Sequence, residues 1–330
     1  MVNKVHFGKR IASLRRKAGL SQSELAEQFG VTSQAVSKWE CENAVPDIDL
    51  LLELSHFYHV TINEMLEDVD LLYHLTGRVT GENGVSLFVS ESEDTERSDW
   101  AHAMVKEKWI KRNWEYAQSN TDFDTGSRDA VGKAIASNDG IILETGAGPG
   151  GGYMPYILKY NSDARIIISD FSPTVVSEWK AFLDIEMNSP NLYYAAFDFC
   201  SMPFKDNCID IVSDGGGIGN CIGEKSKALK EAYRVLKPGG MLITSTGFVN
   251  RETLAEFSSD VQRALLERRP DVFEDLYEDT VLAGFHKIDS VISGCWYTDD
   301  DESDIADLAR SLGVNLKFTS YVRYCTKEKT

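Results

Sequence analysis

The spacing of apolar residues differs between the two ends of the chain. Between residues 7 and 66 apolar residues recur at helical spacing in five short segments separated by turn residues, which predicts a small all-α domain. From residue 128 onward, short apolar runs such as Ile141–Leu143 and Ile166–Ile168 alternate with helical segments. Because parallel strands need crossover connections, this alternation predicts an α/β domain with a mostly parallel sheet.

The segment between the two patterns is polar, acidic and rich in turn residues. We therefore expect a helical domain at residues 1–68, a linker at residues 69–99 and an α/β domain at residues 100–330. Within the α/β domain the pattern predicts one continuous helix over residues 100–117 and another over residues 251–268.

A run of alternating glycines follows the first buried strand. Glu144 ends the apolar run, and Gly146, Gly148 and Gly150 come directly after it, an arrangement typical of a strand that leads into a ligand loop. Together with Gly151, the first two glycines also satisfy the dinucleotide pattern G-x-G-x-x-G, so an NAD-dependent oxidoreductase is one interpretation. The alternative is a cationic ligand, because Glu144 would repel a pyrophosphate and attract a sulfonium with an ammonium group.

A second acid occupies the end of the next predicted strand. Asp170 follows Ile166–Ile168 and lies 20 residues after Gly150, where a carboxylate accepts hydrogen bonds from ribose hydroxyls. This position supports an adenosyl ligand without choosing between the two interpretations.

Charge and cysteine content exclude several classes of function. The net charge is -18, and residues 1–66 hold 7 Lys/Arg against 8 Asp/Glu, which leaves 27 against 44 for the remainder. An acidic large domain is unsuited to gripping a phosphate backbone, so a small molecule or a protein is its expected substrate. No apolar stretch approaches about 20 residues, so no membrane span is expected.

The six cysteines are scattered without metal-ligand spacing, which predicts reduced thiols in a cytoplasmic chain and no metal site. The acidic run at residues 299–302 is interpreted as a solvated turn in preference to a metal site.

The second region resembles the class I S-adenosylmethionine-dependent methyltransferases. The residues that carry the resemblance are Glu144, Gly146, Gly148, Gly150, Asp170, Asp198, Phe199 and the turn at residues 236–240. The resemblance implies a Rossmann-like methyltransferase sheet, mostly parallel with an antiparallel C-terminal edge, and S-adenosylmethionine as cofactor. It further implies that Asp198 bonds the adenine amino group, that Phe199 packs on the ring, and that Asp214, at the end of the fourth strand, belongs to the same site.

The resemblance also limits the reaction. The Asp/Asn-Pro-Pro-aromatic motif of nucleobase amino-methyltransferases and the Pro-Cys nucleophile of cytosine-C5 enzymes are both missing after Asp214, which argues against methylation of DNA bases. No general base stands out, so the catalytic residues remain unassigned and the methyl acceptor is expected to be a small molecule.

The first region resembles the Cro/lambda-repressor helix-turn-helix family. The matching residues include 11–15, 20–22, 25–26, 30–32, 36–40 and Pro46. By this resemblance Ser33, Gln34, Ser37 and Lys38 read bases or phosphates, and Gln22 anchors a phosphate. The chain departs from the family pattern at residues 40–43, where the family usually has a glycine. The negative charge of Glu42 in this segment should weaken contact with phosphates.

We expect residues 1–68 to bind a palindromic operator as a homodimer, with protein contact alone as the alternative use of this domain. Two overall hypotheses therefore remain. One is a methyltransferase that is fused to a DNA-binding domain. The other is a transcriptional regulator whose methyltransferase-like domain senses S-adenosylmethionine or a metabolite without turnover.

Overall fold

The computed structural model describes residues 4–58, 60, 62–66, 71–77, 84–89, 99–106, 108–121, 126–187, 189–219, 224–300 and 304–329. The chain divides into two compact units, Met1–His74 and Leu75–Thr330. Most of the predicted linker, and two of the four acids at residues 299–302, lie outside the described residues.

The first unit contains the five helices that the pattern predicted. They are α1 (Lys4–Lys17), α2 (Gln22–Gln28), α3 (Ser33–Glu40), α4 (Ile48–Tyr58) and α5 (Ile62–Leu66), with α6 (Leu71–Thr76) after them. Ser21 and Glu24 form the predicted capping box at the start of α2, and the Thr32 side chain caps α3. The apolar faces meet in a core that includes Phe7, Ile11 and Val36.

The second unit is built on one sheet of eight strands, counted within the described residues. The strands are β1 (Ser86–Leu87), β2 (Ile141–Thr145), β3 (Arg165–Asp170), β4 (Leu192–Ala196), β5 (Ile209–Asp214), β6 (Leu236–Val249), β7 (Lys287–Tyr297) and β8 (Lys317–Thr326). Their spatial order is β1-β4-β3-β2-β5-β6-β8-β7. The first six strands are parallel, and β8 pairs antiparallel with both β6 and β7. The predicted mostly parallel sheet with an antiparallel C-terminal edge is therefore confirmed.

Helices of the second unit connect and flank the strands. They are α7 (Asp99–Lys106), α8 (Trp109–Ser119), α9 (Arg128–Ala136), α10 (Met154–Tyr160), α11 (Pro173–Glu186), α12 (Lys225–Val235), α13 (Ser259–Arg268), α14 (Tyr277–Leu282) and α15 (Asp304–Leu312). Residues of α9, α10 and α11 share one apolar cluster with the central strands. A second cluster lies near the ends of β6 and β8 and includes Val249, Leu265 and Phe318.

Strand β6 extends beyond the strand beside it. Its parallel pairing with β5 ends where Thr244 faces Asp214, whereas its antiparallel pairing with β8 continues until Val249 faces Phe318. Residues 245–249 and their partners on β8 and β7 therefore form a wall past the carboxyl edge of the parallel strands. We call this feature the overhang.

Two predicted helices are interrupted, so these predictions were wrong in continuity. The helix over residues 100–117 is split into α7 and α8 by Lys108, whose φ of 62° is left-handed. Val105 and Ile110 both pack into the core, yet a continuous helix would place side chains five residues apart about 140° from each other, and the break brings both inward. The helix over residues 251–268 is a 3₁₀ helix, Arg251–Glu256, followed by α13, and Phe257 between them packs on the second cluster.

Candidate functional site

The acids predicted from the sequence lie at one edge of the sheet. Glu144 and Asp170 are at or next to the carboxyl ends of β2 and β3, Asp198 follows β4, and Asp214 ends β5. Because these strands are parallel and adjacent, the four carboxylates belong to the same edge. Their burial and their hydrogen bonds differ, however, and so does what each can do.

Glu144 is fully buried beneath the glycine loop. One oxygen accepts a hydrogen bond from the backbone N–H of Tyr153 at 3.2 Å, and the other from the Ser213 hydroxyl at 2.6 Å. Burial raises the pKa of Glu144 to about 8, and the neighbouring Asp214 acts in the same direction. Gly152 covers this carboxyl so closely that a Cβ there would lie 1.9 Å from Glu144 Oε1, at a φ of 56°.

The loop between Glu144 and α10 is held at Gly148 from two sides. The Gly148 carbonyl accepts a hydrogen bond from the indole of buried Trp179 at 2.7 Å, and its N–H donates to Asp170 Oδ2 at 2.8 Å. The other oxygen of Asp170 accepts from Ser172 N at 2.9 Å. Through these two bonds Asp170 joins the glycine loop to the start of α11.

Gly150 leaves room for a ligand against the main chain, whereas Gly146 packs closely against the glycine loop after β5. A Cβ at Gly146 would lie 3.7 Å from Phe199 Cε1 and 3.1 Å from the Cα of Gly217, so the Phe199 ring stands beside this glycine. Asp198 accepts a hydrogen bond from Cys200 N at 2.8 Å and thereby fixes the short 3₁₀ turn that carries Phe199. Among the described residues, no heavy atom lies within 4 Å of a Cβ built at Gly150.

Asp214 bonds the loop that directly follows its strand, β5. It is fully buried, accepts a hydrogen bond from Thr244 Oγ1 at 2.6 Å, and accepts another from Ile218 N at 3.1 Å. Burial raises its pKa to about 6. The carboxylate therefore shapes the glycine loop after β5, and a direct contact between Asp214 and a cofactor stays a prediction.

Three further residues lie beside this edge, and the sequence interpretation did not single them out. Arg128, at the start of α9, donates to the Gly215 carbonyl at 3.4 Å, and its positive charge acts to lower the pKa of Glu144, against the effect of burial. Tyr153 is buried, and its hydroxyl bonds the Ser245 side chain. Tyr153 directly follows the glycine run, which could have drawn attention to it, whereas Arg128 and Ser245 carry no local pattern.

Two cavities open beside the overhang. The larger, about 570 Å³, is lined by Arg128, Tyr153 and Ser245 among others, and the smaller, about 360 Å³, lies between the β5 glycine loop and the end of β6. Of the described residues that line them, the carboxylates are Asp129 and Asp271. Lys159 and Tyr160 bond the first, and Arg269 pairs with the second.

The predicted DNA-reading residues share the surface of α3. Ser33, Gln34 and Lys38 are exposed, and Ser37 is half-buried, while Val36 and Trp39 face the core.

Gln22 is half-buried, and its amide donates to Glu40 Oε2 at 2.8 Å. Glu40 also pairs with Arg15 at 2.6 Å. The start of α2 and the end of α3 are therefore linked through one carboxylate. Although burial opposes it, hydrogen bonds from Arg15 and Gln22 hold the pKa of Glu40 below its usual value.

No helix in the described parts of the chain has the length and apolar character needed to cross a bilayer. The same residues contain no group of three or more His, Cys, Asp or Glu side chains arranged to hold a metal ion.

Comparison with known proteins finds one family match in each of the two regions. A methyltransferase-domain family matches residues 143–244, and a helix-turn-helix family matches residues 11–65. The ubiquinone/menaquinone biosynthesis C-methyltransferase UbiE of Ruegeria sp. (strain TM1040) is 32% identical over 116 residues, 35% of this chain and 46% of that protein. The HTH-type transcriptional activator BcrR of Enterococcus faecalis is 37% identical over 68 residues, 21% of this chain and 33% of that protein.

Among solved structures, the phosphoethanolamine N-methyltransferase 2 of Haemonchus contortus, in complex with S-adenosyl-L-methionine, superposes with a TM-score of 0.44 at 16% identity. That match covers 74% of this chain and 61% of that one. The chain spans less than half the length of the two curated relatives named above. Because residues 143–244 and 11–65 match these two family models, the chain carries a methyltransferase domain preceded by a helix-turn-helix domain of the Cro/C1 type.

Proposed function

We propose that this protein transfers a methyl group from S-adenosylmethionine to a small molecule, and that its helix-turn-helix domain binds DNA. The observation that carries the proposal is the convergence of Glu144, Asp170 and Asp198 on one sheet edge around a glycine loop whose backbone is open at Gly150. Such an edge suits a cationic adenosyl ligand and disfavours a dinucleotide pyrophosphate.

Each part of the donor has a matching group on this edge. Asp170 accepts from the ribose hydroxyls, and Phe199 with Asp198 holds the adenine beside Gly146. At the other end of the loop, Glu144, which the cationic donor ionises on binding, suits the ammonium of the amino-acid portion, and Arg128 suits its carboxylate.

When bound, S-adenosylmethionine supplies a methyl group on a sulfonium that leaves as a neutral thioether. The acceptor would take this methyl group and release a proton to solvent. The chain contributes mainly orientation, because the wall carboxylates Asp129 and Asp271 are already paired and neither is placed as a base. Burial raises the pKa of Tyr153, so its phenol stays protonated and bonds Ser245, which lines both cavities.

The DNA-binding part of the proposal depends on the polar face of α3. Gln34 and Lys38 are exposed on the helix that this fold inserts into the major groove. Glu40 holds the Gln22 amide at the start of α2, and this fixed position supports the proposed role of Gln22 in anchoring a phosphate.

Calorimetry with the full-length protein tests the donor site. We expect S-adenosylmethionine and S-adenosylhomocysteine to bind and NADH not to bind. We also expect Asp170→Asn to weaken binding by about 10- to 100-fold, a loss of about 1.4 to 3 kcal/mol. Asp184→Asn, on the exposed face of α11, is the matched control and should bind as the wild type does. Absence of heat with both adenosyl compounds would refute the proposal.

Turnover separates an enzyme from a sensor. Labelled S-adenosylmethionine with a metabolite extract should transfer its methyl group to a low-molecular-weight product. Tight binding of the donor without any transfer would favour a regulator that senses this compound.

A further inference from the structure

The overhang gives the smaller cavity two flat sides. On one side are the backbones of Gly215 and Gly216 in the loop after β5, and on the other is the Trp296 ring, which covers the end of β6 at Gly247. Gly219 closes the cavity at β6, because a Cβ there would lie 3.4 Å from Thr246 Cγ2. Glycines present backbone without side chains, so the wall that Gly215 and Gly216 form is flat. This smaller cavity, which we call the slot, begins at the glycine loop that Asp214 shapes and therefore adjoins the donor edge.

An indole ring closes this slot. Trp296 reaches from β7 across β8 to β6, where its Cη2 would lie 2.5 Å from a Cβ at Gly247. The ring stacks on Phe318 at a centroid distance of 5.0 Å and an interplanar angle of 9°, and the side chain is still 37% exposed. Trp296 lines both cavities, so its ring is a shared wall between them.

The charged side chains among the described residues of the slot sum to no net charge. Among the described residues that line it, the charged side chains are Arg269 and Asp271, which pair with each other at 2.8 Å. Val272, Ile305 and Phe318 add apolar surface. A charged ligand would find no opposite net charge in this slot, whereas a neutral one with a hydrogen-bonding group could contact the ion pair.

We infer that this slot binds the methyl acceptor and that the acceptor is an uncharged, flat aromatic ring with a hydroxyl or amino substituent, packed against Trp296. The inference rests on the proposed methyl transfer. A flat backbone wall opposite an indole suits a planar ring better than a puckered one, because both faces of a planar ring can lie in full contact. Aromatic contacts of this kind raise affinity by about 2- to 13-fold beyond the effect of the area that they bury.

Binding of matched probes to the protein saturated with S-adenosylhomocysteine tests this inference. The probes are 2-naphthol and its saturated counterpart decahydro-2-naphthol, measured by calorimetry. We expect 2-naphthol to bind about 10-fold more tightly, the factor that the aromatic contact gives at the upper end of its range. Trp296→Ala should remove most of this preference and Trp296→Phe should restore part of it, with the affinity for S-adenosylhomocysteine unchanged in both.

Tyr297→Ala is the matched control, because Tyr297 is exposed on the same strand at the next position and lines neither cavity. It should leave both probe affinities unchanged. Equal binding of the two probes, or a preference that survives in Trp296→Ala, would overturn the inference while S-adenosylhomocysteine binding upholds the donor site. Failure to bind S-adenosylhomocysteine would overturn the proposed function and this inference together.

Discussion

Replacing Glu144 by glutamine removes a buried acid while keeping its shape. The amide oxygen of Glu144→Gln can still accept from Tyr153 N, and the amide N–H can donate to the Ser213 hydroxyl. The substitution therefore isolates the effect of the ionisable group on stability and on donor binding.

The magnitude follows from the pKa of Glu144, which burial raises from 4.5 to about 8. Between these two values the unfolded chain has released its proton and the folded protein retains it, so the folded state binds more protons and the free energy of unfolding falls as pH rises. At 1.36 kcal/mol per pH unit the loss is about 3 kcal/mol at pH 7 and about 5 kcal/mol once pH exceeds 8. Glu144→Gln lacks this loss and should gain stability over the wild type across the same interval.

Urea unfolding between pH 5 and pH 9, followed by circular dichroism, measures this difference. We expect Glu144→Gln and wild type to agree within about 1 kcal/mol at pH 5 and to diverge steadily up to pH 8. Glu115→Gln, which removes an exposed carboxylate on α8, should track the wild type throughout. Parallel curves for Glu144→Gln and wild type, or a less stable variant at pH 8, would show that Glu144 is ionised in the folded protein and refute the reasoning.

The same proton should appear in donor binding. A cationic donor favours the ionised form of Glu144, so binding at pH 7 should release close to one proton, detected as a dependence of the calorimetric heat on the ionisation enthalpy of the buffer. Glu144→Gln should bind the donor more weakly and release none. Proton release of equal size in the variant would assign the effect to another group.

Three further substitutions separate fold from function. Gly152→Ala should destabilise the protein by more than about 2 kcal/mol in urea unfolding, because its Cβ would overlap Glu144. Gly150→Ala should stay within about 0.5 kcal/mol of the wild type. Equal losses in the two variants would refute the close packing of Gly152 on Glu144. Glu42→Gly should stabilise the helix-turn-helix domain by about 1 kcal/mol in thermal unfolding, because glycine adopts the left-handed φ of 65° without strain. It should also tighten DNA binding, because a negative charge is removed. A lower melting temperature would contradict the first expectation. Lys38→Ala should weaken binding to an operator fragment and lower the salt slope by about one, and an unchanged slope would remove Lys38 from the phosphate contacts.

The sequence predicted those parts of the molecule that local chemistry determines. Ser21 and Glu24 satisfy each other's backbone amides within one helical turn, so the pattern alone locates the capping box. The apolar run Ile141–Leu143 followed by glycines likewise locates β2 and its loop, because a buried parallel strand must be apolar on both faces.

Features that depend on contacts distant in sequence were not predictable. Ser86–Leu87 has two residues and no periodicity, and it becomes a strand only because β4 offers an unpaired edge. The position of Glu144 at a strand end was readable, but its complete burial depends on the close approach of Gly152 and on Ser213 from the neighbouring strand. Arg128 reaches the site through the placement of α9, for which the chain has no local signal.

The strand pairing of β6 separates the donor edge from the overhang at Thr244. Thr244, the last partner of β5, is also the last residue of the matched methyltransferase domain, and the overhang begins at the next residue. The groups assigned to the donor all precede this point, whereas Gly247, Trp296 and Phe318 follow it. Under the proposed function, substitutions in the overhang beyond Ser245 should therefore change the choice of acceptor without disturbing the donor edge, and this part of the overhang is a segment that can be exchanged between related chains.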